Sequence, residues 1–312
     1  MGELRKDYIL DRYVIIATER AKRPDQFKSE AKQNKEEVCY FCPSNEHMTP
    51  VEIGRFPEFS NDWQIRVFPN KFPAVRPEGK ADIQTDNTFY TYSDAFGYHE
   101  VIVETPNHEE SLADLNEVTI ANVIYMFNSR IEENLKKPDV KYATVFKNHG
   151  EKAGTSIIHS HCQLITLNKI PENVLEKEKA IKKYDFCPYC SIIQNERNSY
   201  RRCFENSSFV SFTPYASRFP FEVWVFPQRH ILKLSEFTKA EYMDLAIILK
   251  KILLKLKALN ADYNMLIQYG ITNMHFHIEI CPRLSTWAGF ELSSGTIINT
   301  MTPENAAEFY RN

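Results

Sequence analysis

The chain has 312 residues, room for one large or two medium domains, and its 43% hydrophobic content is enough to bury a sizeable core. Lys and Arg total 38 against 41 Asp and Glu, a formal net charge of −3, which argues against a polybasic partner of nucleic acid or of a membrane surface. Only nine glycines occur, with no Gly-x-Gly-x-x-Gly or Walker-type loop, so the default nucleotide folds that depend on such loops are set aside.

The first residues, Met1 to Leu10, carry charges where a signal peptide needs an apolar run. The most apolar stretch, Tyr242 to Leu259, is interrupted by Lys250, Lys251, Lys255 and Lys257, so no membrane span is expected and a cytoplasmic protein is. Along the chain, a Cys-x-x-Cys pair, Cys39 and Cys42, comes first. Next is an alternating apolar run from Phe96 to Glu109 that ends at His108. An amphipathic helix is predicted from about Leu115 to Lys137, on Val118, Ala121, Tyr125, Ile131 and Leu135. The segment Val145 to Ser156 holds two glycines, two lysines and several hydrogen-bonding side chains, a composition suited to a phosphate-holding turn. It leads into His159-Ser-His161-Cys-Gln163.

A charged stretch, Glu172 to Tyr184, predicts a surface helix or linker, and then the order repeats. A second pair, Cys187 and Cys190, precedes an apolar run from Phe219 to Ile231 that contains His230. A second helix is predicted from about Thr238 to Leu259, followed by His275-Phe-His277-Ile-Glu279. Both halves therefore read Cys-x-x-Cys, His, helix, His-x-His, with loops of different length, as a duplicated unit would. Strand pairs with one crossing helix per half predict an α+β fold with antiparallel sheets.

In a reducing compartment two Cys-x-x-Cys pairs point to metal or redox chemistry before disulfides. Trailing histidines favour a metal. Cys39, Cys42, His108 and His159 form one candidate set, and Cys187, Cys190, His230 and His275 the other. Two thiolates and two imidazoles suit tetrahedral zinc, and four filled positions make it structural. Alternation along the strand puts His159, His161 and Gln163 on one face and Ser160 and Cys162 on the other. A rigidly held neutral imidazole at His161 can attack phosphorus and carry a covalent intermediate. Gln163, one pleat further, is a neutral donor for phosphate oxygens, and it cannot act as a base for water, which suits transfer better than hydrolysis. His277 has Glu279 in place of Gln and is expected to be structural or at the edge of the site, not a second nucleophile, while His47, His99 and His149 receive no role.

These motifs, with Tyr13-Val-Ile-Ile-Ala-Thr-Glu-Arg-Ala-Lys-Arg-Pro24, Val67-Phe-Pro-Asn-Lys-Phe-Pro73, Asn148-x-Gly150, Ala288-Gly-Phe-Glu291 and Ile298-Asn299, resemble the galactose-1-phosphate uridylyltransferase family of the histidine-triad superfamily along nearly the whole chain. The resemblance implies two fused histidine-triad-like repeats. Residues 1–170 would carry the nucleophile, and residues 171–312 the second zinc site and a hexose-contacting tail. It implies a double displacement on a nucleoside diphosphate sugar, with His161 as nucleophile and Gln163 and Ser156 at the phosphate. Arg20, Arg23, Asn70, Phe72 and Asn148 match positions around the nucleotide, and Gly289, Phe290, Glu291 and Asn299 match tail positions near the hexose 1-phosphate. In relatives that tail can complete the partner subunit's site, so a homodimer is implied. One departure is Ser160, where many of these transferases have Pro. Ser160 and two zinc sets also resemble a related branch, the ADP-glucose phosphorylases, in which phosphate is the acceptor.

Overall fold

The computed structural model describes residues 3–16, 38–82, 84–85 and 87–312. Arg20 and Arg23 lie outside the described residues. An N-terminal hairpin, β1 (Glu3–Lys6) and β2 (Tyr13–Ile16), precedes the first half. That half comprises β3 (Gly54–Phe56), β4 (Ile65–Pro69), the short hairpin β5 (Gln84–Thr85) and β6 (Thr91–Tyr92), β7 (His99–Val103), α1 (Glu117–Leu135), β8 (Tyr142–His149) and β9 (His161–Leu167). The second half comprises α2 (Glu172–Ile181), α3 (Pro188–Arg197), β10 (Arg202–Glu205), β11 (Phe209–Phe212), β12 (Val223–Pro227), α4 (Lys239–Ala258), β13 (Tyr263–Gln268) and β14 (His277–Pro282). The tail adds α5 (Gly289–Ser294), β15 (Ile297–Asn299) and α6 (Pro303–Arg311).

The fold is α+β, with antiparallel strands and few helices. The expectation of one sheet per repeat is refined: the halves share a single ten-stranded sheet, ordered β10-β11-β12-β14-β13-β8-β9-β7-β4-β3. The seam is the antiparallel pair β8–β13, where Asn148 faces Asn264. Each half alone would leave an unpaired edge at this strand, and joining the edges satisfies both rows of backbone groups.

Both long helices start where the sequence caps them. The Asn116 side chain accepts the Thr119 N–H at 2.9 Å, opening α1. Thr238 and Glu241 form a reciprocal capping box that opens α4. Ile120, Val123, Ile124, Phe127 and Ile131 on α1, and Leu245, Ile248, Leu249, Ile252 and Leu256 on α4, are buried at helical spacing. They join Ile102, Val145, Leu164, Ile278 and Ile280 of the sheet in one core that spans both halves. Val118, Tyr125 and Leu135 of the predicted apolar stripe are exposed instead, with Tyr125 edge-on to Tyr242 of α4 at 5.7 Å.

The opposite face of the sheet is left for other elements. Over the second half, Ile181 of α2 and Tyr189 and Ile193 of α3 pack on Val210, Phe212, Trp224 and Phe226. The charged stretch at 172–184 is therefore not a free linker. Its Lys177 is buried against Glu279 at 2.7 Å, and its Glu178 accepts the Ile271 N–H at 2.8 Å. Over the first half, that face carries Phe41, Trp63, Phe68, Val101 and Val103, and among the described residues Asn70, Asn148 and Gln163 on it are only half-buried. Among the described residues no helix is long and apolar enough to cross a membrane.

Candidate functional site

The open face is assembled from four strands. In the β7–β9 ladder Val103 faces His161 and Val101 faces Gln163, and in β8–β9 Phe146 faces Gln163. Strand alternation then puts His99, His161, Gln163 and Asn148 on one side of the sheet. Asn70, just past β4, joins them through its N–H to the His99 carbonyl at 2.7 Å.

At one end of this face the first Cys/His set converges. Ligand atoms of Cys39, Cys42, His108 and His159 all lie within 4.8 Å of one another. The Cys39 Sγ–His159 Nδ1, Cys42 Sγ–His108 Nδ1 and Cys42 Sγ–His159 Nδ1 separations are each 3.5 Å. A tetrahedral cation with bonds of about 2.3 Å to sulfur and about 2.05 Å to nitrogen requires an S···N edge of about 3.6 Å, so the donors fit without rearrangement. His159 donates from Nε2 to the Thr105 carbonyl at 2.8 Å, which leaves Nδ1 with the lone pair a metal needs. Burial and the neighbouring Cys39 push the Cys42 thiol up to about 11, so a cation is the natural partner for its thiolate. The ligand atoms of the second set, Cys187, Cys190, His230 and His275, also lie within 4.8 Å of one another, with Cys190 Sγ 3.4 Å from His230 Nδ1 and 3.7 Å from His275 Nδ1. His230 is exposed, and this set opens onto a cavity of about 520 Å³. Both sets could hold a metal ion.

His161 begins one pleat beyond His159. Its Nδ1–H donates to the His159 carbonyl at 2.8 Å. The proton is thereby fixed on Nδ1 and Nε2 keeps its lone pair. Burial lowers the ring's pKa to about 4, so the imidazole is neutral at pH 7. Phe41 stands edge-on to it at 5.3 Å. Ser160 points to the helix face, as the alternation predicts. Its Oγ donates to Glu104 Oε2 at 2.6 Å and accepts from Lys147 Nζ at 3.0 Å. Lys147 also pairs with Glu104 at 2.7 Å and donates to the His161 carbonyl at 3.2 Å. Burial opposes the Glu104 charge, but Lys147, Cys162 and Ser160 outweigh it and hold the carboxyl below its usual value.

The second half has the same strand with the chemistry closed off. His277 is fully buried, stacked on Phe226 at 4.6 Å, and its Nε2 meets Glu279 Oε1 at 3.3 Å. Lys177 at 2.7 Å and Arg218 at 2.6 Å hold Glu279 from both sides.

The remaining expected residues divide. Asn148 is half-buried on the strand next to that of His161, Asn70 is half-buried against His99, Ser156 is exposed after the turn Glu151–Ala153, and Phe72 is 83% exposed. The predicted phosphate turn is only partly a turn, because its first residues, Val145 to His149, belong to β8. Gly289, Phe290 and Glu291 lie on α5. Glu291, with Trp287, Arg218 and Glu279, lines a separate cavity of about 480 Å³ where the β1–β2 hairpin meets the second half. Asn299 is buried, donating to the Ser217 carbonyl at 2.9 Å and accepting the Met301 N–H at 3.0 Å. Among the described residues of one chain, then, the tail does not join the His161 face. His149 stacks on Tyr263 at 4.8 Å. His99, given no role from sequence, touches Gln163 Oε1 at 2.7 Å. Glu104 and Asn264 were also missed, since neither belongs to a motif, and Lys147, one of the two lysines of the predicted phosphate turn, turns instead to Glu104.

A family model described as galactose-1-phosphate uridyl transferase, N-terminal domain, matches residues 2–171, and its C-terminal counterpart matches residues 141–283. The chain is 32% identical to the ADP-glucose phosphorylase of Arabidopsis thaliana, over 99% of this chain and 92% of that protein. It is 27% identical to the galactose-1-phosphate uridylyltransferase of Thermotoga maritima, over 100% of this chain and 98% of that protein. A crystal structure of an ADP-glucose phosphorylase from Arabidopsis thaliana with bound ADP-glucose superposes with a TM-score of 0.87 at 31% identity, covering 100% of this chain and 98% of that one.

Proposed function

The chain belongs to the galactose-1-phosphate uridyl transferase family, and from that premise we propose that it is a nucleotidyltransferase working by double displacement through a nucleotidyl-histidine. The favoured reaction is uridylyl transfer from UDP-glucose to a hexose 1-phosphate such as galactose 1-phosphate. His161 Nε2 attacks the α-phosphorus and hexose 1-phosphate leaves. The second sugar phosphate then takes the nucleotidyl group from His161. Gln163, Asn148 and Ser156 donate to the phosphate oxygens, and Asn70 and Phe72 flank the nucleotide. Arg20 and Arg23 belong to the same nucleotide group by motif. Residues 1–170 form the unit with the nucleophile and residues 171–312 the unit with the second metal set. The Cys/His sets hold zinc, a structural cation that ties the β7–β9 end together and steadies His161 through His159. Gly289, Phe290, Glu291 and Asn299 form the hexose-side group, completed in a homodimer.

One observation carries this: His161 has its Nδ1 proton committed to the His159 carbonyl at 2.8 Å and its Nε2 without a partner among the described residues, whereas His277 has Nε2 closed by Glu279. The chain thus holds one imidazole able to attack phosphorus and one that is not. The test is intact-protein mass at neutral pH after mixing with UDP-glucose or ADP-glucose, with His161→Ala as control. A uridylyl increase lost in His161→Ala is expected. Equal labelling of that variant refutes the nucleophile.

A second reading is adenylyl transfer to phosphate. The similarity to the Arabidopsis ADP-glucose phosphorylase, 32% in sequence and 0.87 in TM-score, favours it. An adenylyl adduct formed only with ADP-glucose decides for it. Nucleotide binding without any adduct decides for a zinc-stabilised binding protein.

A further inference from the structure

Three side-chain amides border the His161 face: Asn70, Asn148 and Gln163. An amide can present its oxygen or its NH₂ to a ligand, and only the NH₂ end suits a phosphate. Which end faces outward is set here by backbone groups of fixed polarity one step further in. The Ala74 N–H can only donate, and it points at His99 Nδ1 at 3.1 Å. Nδ1 must therefore accept, and the ring hydrogen sits on Nε2. That Nε2–H donates to Gln163 at 2.7 Å, so the end of Gln163 turned toward His99 is its oxygen. On the other flank, the Ala153 carbonyl can only accept, and it takes a hydrogen from Asn264 Nδ2 at 2.9 Å. The same NH₂ group donates to Asn148 Oδ1 at 2.9 Å. The oxygen of Asn70 is likewise occupied, by the Phe72 N–H at 2.8 Å. All three oxygens are engaged inside the protein; among the described residues the NH₂ groups of Gln163 and Asn148 are left for a ligand, while that of Asn70 lies beside His99.

We propose that His99 and Asn264 are positioning residues that fix the outward polarity of Gln163 and Asn148, so that the nucleophile's surroundings offer donors only. Asn264 does this from the second half, across the β8–β13 seam. The proposal rests on the nucleotidyl-transfer reading for its purpose, but its geometry can be tested apart from it. One contact competes: Asn70 Nδ2 lies 3.2 Å from His99 Nε2. If Nε2 accepted that hydrogen, the ring proton would move to Nδ1 and collide with the Ala74 N–H. A neutral imidazole has one N–H, so the two arrangements are exclusive.

Two experiments decide. In protein labelled with ¹⁵N-histidine, the His99 signals (assigned by their loss in His99→Gln) should show the Nε2–H tautomer. An Nδ1–H tautomer overturns the proposal whatever the enzyme does. The second measures binding of UMP and AMP by calorimetry and the rate of the His161 adduct, in a cycle of His99→Ala, Gln163→Ala and the double variant. His99→Ala should cost about tenfold in adduct rate, the scale of one lost hydrogen bond to a charged group. His99→Gln, which keeps a donor for the Gln163 oxygen, should restore the rate to within about threefold. In the Gln163→Ala background, His99→Ala should cost less than about twofold, because nothing is left to orient. Equal losses in both backgrounds, or no rescue by His99→Gln at unchanged melting temperature, refute positioning. Wild-type protein that binds neither nucleotide and forms no adduct refutes the transfer reaction instead, and the tautomer signal then tests the His99 geometry on its own.

Discussion

Replacing Ser160 by Ala separates two explanations of the residue that departs from the Pro common among these transferases. The Ser160 hydroxyl donates to Glu104 at 2.6 Å and accepts from Lys147 at 3.0 Å, and both ions are essentially without solvent contact. Removing a buried hydroxyl bonded to charged groups costs about 2 kcal/mol. At roughly 2.1 cal/mol/K of unfolding entropy per residue, a chain of this length that unfolds as one unit gains about 0.65 kcal/mol/K, so the melting temperature should fall by ~3 °C. Lys147→Met sets the upper scale. It leaves Glu104 without its cation, which costs about 3–5 kcal/mol and corresponds to ~5–8 °C on the same arithmetic. Because the hydroxyl points to the helix face, away from the open cleft, the ratio of uridylyl to adenylyl labelling in Ser160→Ala should stay within about twofold of wild type. Scanning calorimetry and adduct mass with each donor read the two quantities on one preparation. An unchanged melting temperature with a tenfold swing in donor ratio would show that Ser160 selects the nucleotide and that the ion cluster does not need it.

Chelator treatment should release metal in two phases, the fast one from Cys187, Cys190, His230 and His275, because His230 is exposed while His159 and Cys39 are buried. Cys190→Ser should remove the fast phase, and a single phase of two equivalents in wild type contradicts the assignment. Cys39→Ser should lower thermal stability and metal content by one equivalent, since cation binding is coupled to folding; full metal content with normal stability counts against the first set. Burial opposes the charge of Glu279, yet Lys177, Arg218 and His277 hold its carboxyl well below the usual value. Its contribution is therefore present above the unfolded value of about 4.3 and lost as pH falls through the folded value. The stability gap between wild type and Glu279→Gln should stay flat from pH 7 to 5 and shrink only below about 4.3, and a gap that grows on acidification refutes the sign.

The duplicated order, both Cys/His sets and both long helices were legible because each rests on local spacing: ligand pairs three positions apart and apolar residues at helical period. The outward face of His161 and the inward turn of Ser160 also followed from strand alternation alone. What the sequence hid is register. His99 joins Gln163 only because Val101 lies opposite Gln163 in β7–β9, and Asn264 reaches Asn148 only across the seam. Such pairings are set by tertiary contacts that no motif marks. The Glu172–Tyr184 stretch forms the expected helix, α2, but its burial was hidden for a related reason. Its charges read as solvated, but Lys177 and Glu178 find partners in β14 and in the loop after β13.

The β8–β13 seam also bears on why the chain is a fusion. Two separate identical chains meeting at such a seam would have to carry every residue at both places, so a histidine kept reactive in one would be reactive in both. Joining the copies in one polypeptide releases them from sameness. One copy keeps His161 open beside its amides, and the other seals His277 beneath Glu279 and lends Asn264 across the join. The silent half is thus a supporting wall of the working half.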